Sequence, residues 1–520
     1  MVSVHGDLIS SMARRSPNAT GIVFEGMSFT WSESNERVNR LGNALLALGL
    51  GKGDKVAVIA QNSHRYAEAY FAFAKAGLAG VPINWQSAPR EAAYILNNSE
   101  AKALLVDRQF QPLVDSIAAD LSGVKHLISM GEGEANGFLD YENLLAQSSP
   151  AEPEVTVYPE DLRSLVYTSG TTGTPKGCMC THGQSLASFA NFIIEIPSVP
   201  REQPTLLSVP FFTGFGSHMC YNAPYTRSPM VILRKFQPTQ VFEAIERHRI
   251  AHLALVPTMI ATLCNAPDIG KYDLSSLRLI YYGGSTISPA VLKRAIGLLK
   301  CDFCQMFGTA EAGGLIAFLT PEDHVLDGLE IKEKRLLSTG REAQYAKIRI
   351  VDDNGNELPP NQPGELIVRS ESTISGYWKM PEKTAETIRD GWVYTGDVAY
   401  RDDDGYIFIA DRKKEMIVSG GMNIYPAEIE AVLHAHPSVA HAAVIGVPDD
   451  HWGEAVKAVI ELKDGEQATE QQIIDFCKDY LASYKKPKSV DFVTGLVGTS
   501  GKVAKRDLRE VYWKGRERRV

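Results

Sequence analysis

Apolar positions along the first hundred residues switch repeatedly between two periods. Ile22-Val23-Phe24 is a short apolar run closed by Glu25-Gly26, which reads as a strand. Thr30 with Glu33 makes a capping-box pattern, and Val38, Leu41, Leu45 and Leu48 then recur at helical spacing until Gly49. Lys55 to Ala60 reads as a buried strand, Ala67 to Ala76 as a small-residue helix, and Gly80-Val81-Pro82-Ile83 as the next strand. Glu91 to Leu96 and Leu104-Leu105-Val106 repeat the alternation. Strands alternating with helices predict a parallel sheet covered on both faces. The pattern resumes with strands at Leu165 to Tyr167, Thr205 to Phe212, Val231 to Leu233, His252 to Pro257 and Leu279 to Gly284, with a helix over Val241 to His248.

Residues 340–411 change character. Lys347 to Val351 alternates, Asp352-Asp353-Asn354-Gly355 turns, and Gly364 to Val368 returns. A second hairpin spans Ala399 to Ala410 around Asp403-Asp404-Gly405. These hairpins predict a small antiparallel or barrel-like subdomain. After the charged run Asp411 to Lys414 a new unit begins, with strands near 415–418, 439–447 and 455–462 and helices from Tyr425 and over Gln471 to Tyr480. The fold class is α/β: a large N-terminal domain of parallel-sheet α/β subdomains plus the small β-barrel-like subdomain, then a small α+β C-terminal domain. The expected boundaries are 1–411, a hinge at 412–415, and 416–520.

Composition narrows the function classes. With 44% apolar and 22% charged residues in 520, the chain has the make-up of a soluble globular protein of several units. A net charge of −9 argues against non-specific binding to nucleic acid or a membrane surface. Seven cysteines, an odd number in a long chain, suit a reducing compartment better than a disulfide framework. Cys178, Cys180 and His182 alternate as one face of a strand would. That placement, like Cys301-x-x-Cys304, reads as core packing rather than a metal or redox site. No apolar run approaches the ~18 residues of a membrane span, and no leader pattern opens the chain, so the expected location is cytoplasmic.

The chemistry concentrates in Tyr167 to Gly177, Tyr-Thr-Ser-Gly-Thr-Thr-Gly-Thr-Pro-Lys-Gly. No apolar period runs through it, so it is a loop. Gly170, Gly173 and Gly177 let the backbone approach a ligand closely. Thr168, Ser169, Thr171, Thr172 and Thr174 supply hydroxyls and Lys176 a point charge. Such a loop fits phosphate oxygens, although the Walker A spacing is absent. A second constellation is Gln305-Met306-Phe307-Gly308-Thr309-Ala310-Glu311. Phe307 offers a flat ring for a purine, and Glu311 a carboxylate for Mg²⁺, which takes one or two carboxylates plus phosphate oxygens.

Thr168 to Lys176 resembles the phosphate loop of the adenylate-forming enzymes: acyl- and aryl-CoA synthetases, luciferases and peptide-synthetase adenylation domains. The resemblance runs over nearly the whole chain, through Gly376-Tyr377-Trp378, Gly391 to Asp397, Asp411 to Lys414 and Thr499-Ser500-Gly501-Lys502, and is greatest to acyl- or aryl-CoA ligases. It implies that Thr168, Ser169, Gly170, Thr171, Thr172, Gly173 and Lys176 hold the ATP phosphates, with Glu311 and Thr172 at the metal. Gly283, Gly284, Ser285, Phe307, Gly308 and Thr309 would line the nucleotide, and Asp397 and Arg412 would bind the ribose. Lys502 would be the adenylation lysine on a mobile C-terminal lid, Lys414 the hinge, and Gly420 and Gly421 the loop that lines the thiol path. Four positions depart from the family: Thr213 stands where a His is common, Leu496 and Val497 where a Pro and a basic residue usually precede the intact Ser500-Gly501-Lys502, and Ala310 where a Thr touches the α-phosphate. Thr309 or a water is expected to substitute at the latter.

The implied reaction joins a carboxylic acid to coenzyme A with ATP and Mg²⁺, through an acyl-adenylate. The acyl pocket is expected from Phe211, Phe212, Thr213, Gly214, Met306 and Gly313. No Arg or Lys stands in its segments, which favours an apolar monocarboxylate, aryl or short, medium or branched in chain. The partners are small molecules, with no nucleic acid and no transmembrane segment, and a homodimer is left open. Two alternatives stand beside this reading: an adenylation enzyme loading a carrier-protein thiol, and a non-catalytic nucleotide-binding homologue.

Overall fold

The computed structural model describes residues 4–131, 137–168, 175–285, 287–324, 326, 328, 330–412, 415–419, 422–449, 451–498 and 503–514. Among these residues two large sheets carry the N-terminal part. One runs in the order Leu139–Asp140, His126–Ser129, Ala101–Val106, Lys55–Ile59, Ala79–Ile83, Leu162–Thr168 and Lys176–Thr181. Its strands are parallel until the last pair, which is antiparallel and flanks the expected phosphate loop. The other runs Arg341–Glu342, Gly314–Leu319, Asp302–Thr309, Leu279–Gly283, His252–Leu255, Thr205–Leu207, Met230–Ile232, Thr20–Phe24 and Met27–Thr30. It is parallel in its centre and antiparallel at both edges.

Local signals explain where many elements begin. Thr30 and Glu33 close the capping box that starts helix Trp31–Ala47. Ser63 caps His64–Ala76, whose end is Gly77 in the left-handed region at φ 67°. That helix is buried along nearly its whole length between the layers, which is why its small residues Ala67, Ala69, Ala72, Ala74 and Ala76 suit it.

Two smaller sheets follow. Ala346–Val351, Gly364–Ser370, Trp392–Arg401, Ile388–Arg389 and Ile407–Arg412 form an antiparallel sheet. Met422–Ile424, Ile417–Ser419, Gly453–Leu462 and Val439–Asp449 form another, to which Ser489–Phe492 adds in parallel. This last sheet has its own core, in which Ile417, Ile424, Ile429, Leu433, Val444, Val456, Ile460 and Ile473 are buried with helices Pro426–Leu433 and Glu470–Lys478. The expected α/β class, antiparallel subdomain and α+β C-terminal unit are borne out.

Two local readings are corrected, and one further element is present. His182 does not continue the strand of Cys178 and Cys180: Thr181 and Gln184 form a capping box, so His182 opens helix His182–Glu195. The strand expected over Thr205 to Phe212 stops at Leu207, and Thr213 then caps helix Gly214–Tyr225. The further element is helix Lys505–Trp513.

Candidate active site

The two ends of the phosphate loop lie on one rung, because Thr168 and Lys176 are antiparallel partners. Ser169, Gly170, Thr171, Thr172 and Gly173 lie outside the described residues. At the base of the loop Lys176 meets Glu311 through a third side chain. The Tyr377 hydroxyl donates to Glu311 Oε1 at 2.8 Å and accepts from Lys176 Nζ at 3.0 Å. Lys176 Nζ also stands 4.1 Å from the centre of the Tyr377 ring, a cation–π distance. Tyr377 is 3% exposed. Burial, and then the Glu311 charge, push its pKa well above the ordinary tyrosine value, so it remains a neutral donor.

The backbone fixes Tyr377. Met179 N–H donates to Gly376 O at 2.9 Å, Ser375 N–H to Met179 O at 3.0 Å and Trp378 N–H to Gly177 O at 2.8 Å. Gly376–Trp378 thus lies as a short extra strand beside Lys176–Thr181, with Cys178 and Tyr377 as bridge partners. Ile374 N–H donates to Glu311 O at 3.2 Å and ties the carboxylate's own turn to the same segment. The Gly-Tyr-Trp triplet matches the family in sequence. Its role as a bridge was not legible, because Tyr377 touches residues 66 and 201 positions away.

Close backbone approach explains the glycines of the expected nucleotide lining. A Cβ at Gly283 would lie 2.2 Å from Met306 O, and one at Gly308 2.0 Å from Gly314 O. Gly283 and Met306 are ladder partners, so the expected nucleotide and acyl linings adjoin there. Gly284 and Ser285 are exposed at that strand end, and Phe307 is half-buried. Gly313 has φ +73°, and a Cβ there would fall 1.5 Å from Ser372 O. Thr309 Oγ1 accepts the Ala312 N–H at 3.0 Å, so the hydroxyl expected to replace the one missing at Ala310 already caps this turn. Ala310 itself packs with Cys178, Ile374 and Tyr377. Asp397 is buried and is the cross-strand partner of Arg412, whose side chain lies outside the described residues.

The acyl residues divide. Phe211 is 1% exposed and packs among the Tyr66 and Tyr70 rings, with its N–H on Asn62 Oδ1 at 2.8 Å and its carbonyl accepting the Tyr70 hydroxyl at 2.5 Å. It therefore belongs to the wall's core rather than to an open cleft. Thr213 Oγ1 accepts the Gly216 N–H at 3.0 Å and donates to Pro210 O at 2.7 Å, which commits its hydroxyl to the helix cap. Phe212 and Gly214 keep accessible surface, and Met306 is buried. Lys414, Gly420, Gly421 and Lys502 lie outside the described residues.

Comparison with known proteins decides the family. The family model described as "AMP-binding enzyme" matches residues 9–378, and that of the "AMP-binding enzyme C-terminal domain" matches 428–502. The chain belongs to the AMP-binding enzyme family. This AMP-binding enzyme is 33% identical to a fatty acid–[acyl-carrier-protein] ligase of Streptomyces coeruleorubidus, over 98% of its own length and 96% of the relative's. It is 36% identical to a feruloyl-CoA synthase of Amycolatopsis, over 96% of each chain. Among solved structures it resembles an anthranilate CoA ligase in complex with anthranoyl-AMP, at TM-score 0.89 and 27% identity, covering 98% of this chain and 97% of that one. The resemblance read from the loop is borne out, and the AMP-binding enzyme falls in the AMP-forming acyl-CoA synthetase group.

The residues present in this AMP-binding enzyme fit a magnesium nucleotide. Tyr377 occupies one of the roughly four lone-pair sites of the Glu311 carboxylate, which leaves acceptor capacity for a hard cation. Among the described residues no group of three or more His, Cys, Asp or Glu could hold a metal alone, so an ion bound at Glu311 would be completed by phosphate oxygens. No helix of the described residues is long and apolar enough to cross a membrane.

Proposed function

We propose that this enzyme uses ATP to join a carboxylic acid with an apolar body to coenzyme A, releasing pyrophosphate and then AMP. The observation that carries the reading is the Lys176–Tyr377–Glu311 bridge, which sets a cation and a carboxylate together at the base of the phosphate loop. A carboxylate acylates poorly because oxide leaves poorly. Attack of its oxygen on the α-phosphorus of ATP expels pyrophosphate and leaves an acyl-adenylate. That step asks the protein for in-line positioning and charge cancellation. Residues 168–176 would hold the β- and γ-phosphates, Phe307, Asp397 and Arg412 the adenosine, and Lys502 the incoming carboxylate and the α-phosphate. Glu311, with Thr172, would hold Mg²⁺, which supplies charge neutralisation on the phosphate oxygens when bound.

In the second step the CoA thiolate attacks the acyl carbonyl and AMP leaves. Lys502 must withdraw first, so the unit from residue 416 would turn about a hinge at 412–415, with Lys414 its pivot. Gly420 and Gly421 would then border the thiol path without side chains. The test is acid-dependent pyrophosphate release with and without CoA, in the native enzyme and in Lys502→Ala. The variant should lose adenylate formation yet convert supplied acyl-adenylate and CoA to thioester. Loss of both half-reactions would refute the division of labour. A second acceptor has support, since one relative is a carrier-protein ligase. Pyrophosphate release without thioester would favour it.

A further inference from the structure

A buried basic cluster stands apart from the bridge at the loop. Arg163 lies near the start of strand Leu162–Thr168, His182 opens helix His182–Glu195, and His218 and Tyr221 share a face of helix Gly214–Tyr225. His5, just ahead of helix Gly6–Arg15, joins them. His5 Nδ1 is 3.2 Å from His182 Nδ1, and the His5 ring meets Tyr221 edge-on at 4.6 Å. The Arg163 guanidinium stands 5.0 Å from the centre of the Tyr221 ring, and His218 stacks on Phe189 at 4.2 Å.

The polar atoms of this cluster are poorly matched. Arg163 donates to Cys180 Sγ at 3.7 Å, a weak acceptor, and no carboxylate among the described residues pairs with it. Asp161, the nearest acid to influence His182, is held by Lys52 at 2.7 Å. The His5 backbone N–H donates to His182 Nδ1, so the His182 proton sits on Nε2. That atom, with Arg163 Nε, His218 Nε2 and His5 Nε2, is buried without a partner among the described residues. Unpaired buried donors are costly, and an unpaired buried charge more so. Arg163 and His218 nonetheless keep some accessible surface, so the cluster is deep but not sealed. Burial, then the Arg163 charge, hold His182 and His218 neutral, with pKa values down at about 3.

We propose that Arg163, His182 and His218 form an oxyanion site that receives the far carboxylate of an elongated dicarboxylic acid substrate. This rests on the ligase reading above. The elements that carry the cluster also run to residues of the expected acyl and nucleotide linings. His182 opens the helix on which Ser188 accepts the Leu315 N–H at 3.0 Å, beside Gly313 and Gly314, about 9 Å along its axis. His218 lies about 6 Å beyond Gly214. Arg163 is about 17 Å down its strand from Thr168. A carboxylate set a turn or more below those linings belongs to a long acid rather than a short one. The expectation of a monocarboxylate rested on segments lacking Arg and Lys. Arg163 comes from a strand outside them.

The experiment compares decanedioate with decanoate on the full chain, by pyrophosphate release and by melting temperature, with inorganic phosphate as a free-anion probe. The native enzyme should favour decanedioate in kcat/KM by roughly tenfold or more, the worth of one charge-assisted hydrogen bond. Arg163→Met should erase that ratio, and His218→Phe, which keeps the stack on Phe189, should reduce it. If Arg163→Met does not fold by circular dichroism, His218→Phe decides. An Arg163-dependent rise in melting temperature with phosphate and decanedioate alike, and no diacid preference in turnover, would assign the site to free anions and overturn the substrate assignment. Equal ratios in all three proteins with no anion-dependent melting would overturn the site itself. If neither these acids nor a panel of aryl and shorter acids releases pyrophosphate but decanedioate alone raises the melting temperature through Arg163, the ligase reading fails and the site stands.

Discussion

Tyr377→Phe is the sharpest test of the candidate active site. The substitution removes one oxygen and keeps the ring, so the packing of Tyr377 at 3% exposure and the 4.1 Å contact with Lys176 are retained. It deletes two hydrogen bonds, at 2.8 Å to Glu311 and at 3.0 Å to Lys176. Bonds to charged partners contribute about 1.5–3 kcal/mol each. Glu311 and Lys176 are only half-buried, and water or a direct ion pair will recover part of the loss, so one bond's worth is the better figure. That corresponds to a fall of roughly 10- to 150-fold in kcat/KM for magnesium ATP. The assay is acid-dependent ATP–pyrophosphate exchange, with melting temperature as the control for folding. A cycle with Glu311→Gln should show a coupling of about 1–2 kcal/mol. A kcat/KM within about twofold of the native value, or strictly additive effects, would refute the bridge as a determinant of nucleotide handling.

Gly313→Ala combines a left-handed backbone with a clash on Ser372 O, and should cost about 2–5 kcal/mol in urea unfolding; an unchanged midpoint would contradict the close approach. Thr213→Ala should lower stability by about 1 kcal/mol through the lost cap. It should leave the KM for the acid nearly unchanged, whereas a large shift in KM would return Thr213 to the substrate. Burial first of all holds His182 and His218 down at about 3 and His252, His324 and His434 at about 4, against 6.5 for a free imidazole. The unfolded chain therefore takes up protons below 6.5 that the folded one refuses, and stability present above 6.5 is lost as pH falls toward 4. A melting temperature that stays flat between pH 7 and pH 5 would show these imidazoles to be solvated.

The chain's order of elements was largely legible, because caps and turns act locally. Thr30 with Glu33, and the Asp352 to Gly355 and Asp403 to Gly405 turns, work within a few residues of themselves. The reading failed where tertiary contacts override local preference. Gly214–Tyr225 holds two glycines and Pro224, poor helix formers, yet it is a helix with Gly216, Met219, Cys220 and Tyr221 buried. His182 fitted a strand alternation, but the Thr181–Gln184 box outranked it. At the site, Glu311 and Lys176 stood out as single chemistries in glycine-rich loops. Tyr377, which joins them, and Arg163, which is flanked by ordinary strand residues, carry no local mark.

The main-chain stitching of Gly376–Trp378 to Lys176–Thr181 bears on which changes this site can absorb. Amides and carbonyls are supplied by every residue type, so Ser375, Trp378 or Met179 can drift in sequence while Tyr377 keeps its seat. Only an imino acid removes the donor: proline at 179, 375 or 378 would unfasten the added strand and carry the phenol away from both charges. The bridge is thus nearly indifferent to substitution around it and vulnerable at three amides, which saturation mutagenesis of these positions would show as isolated proline-sensitive sites in a tolerant background.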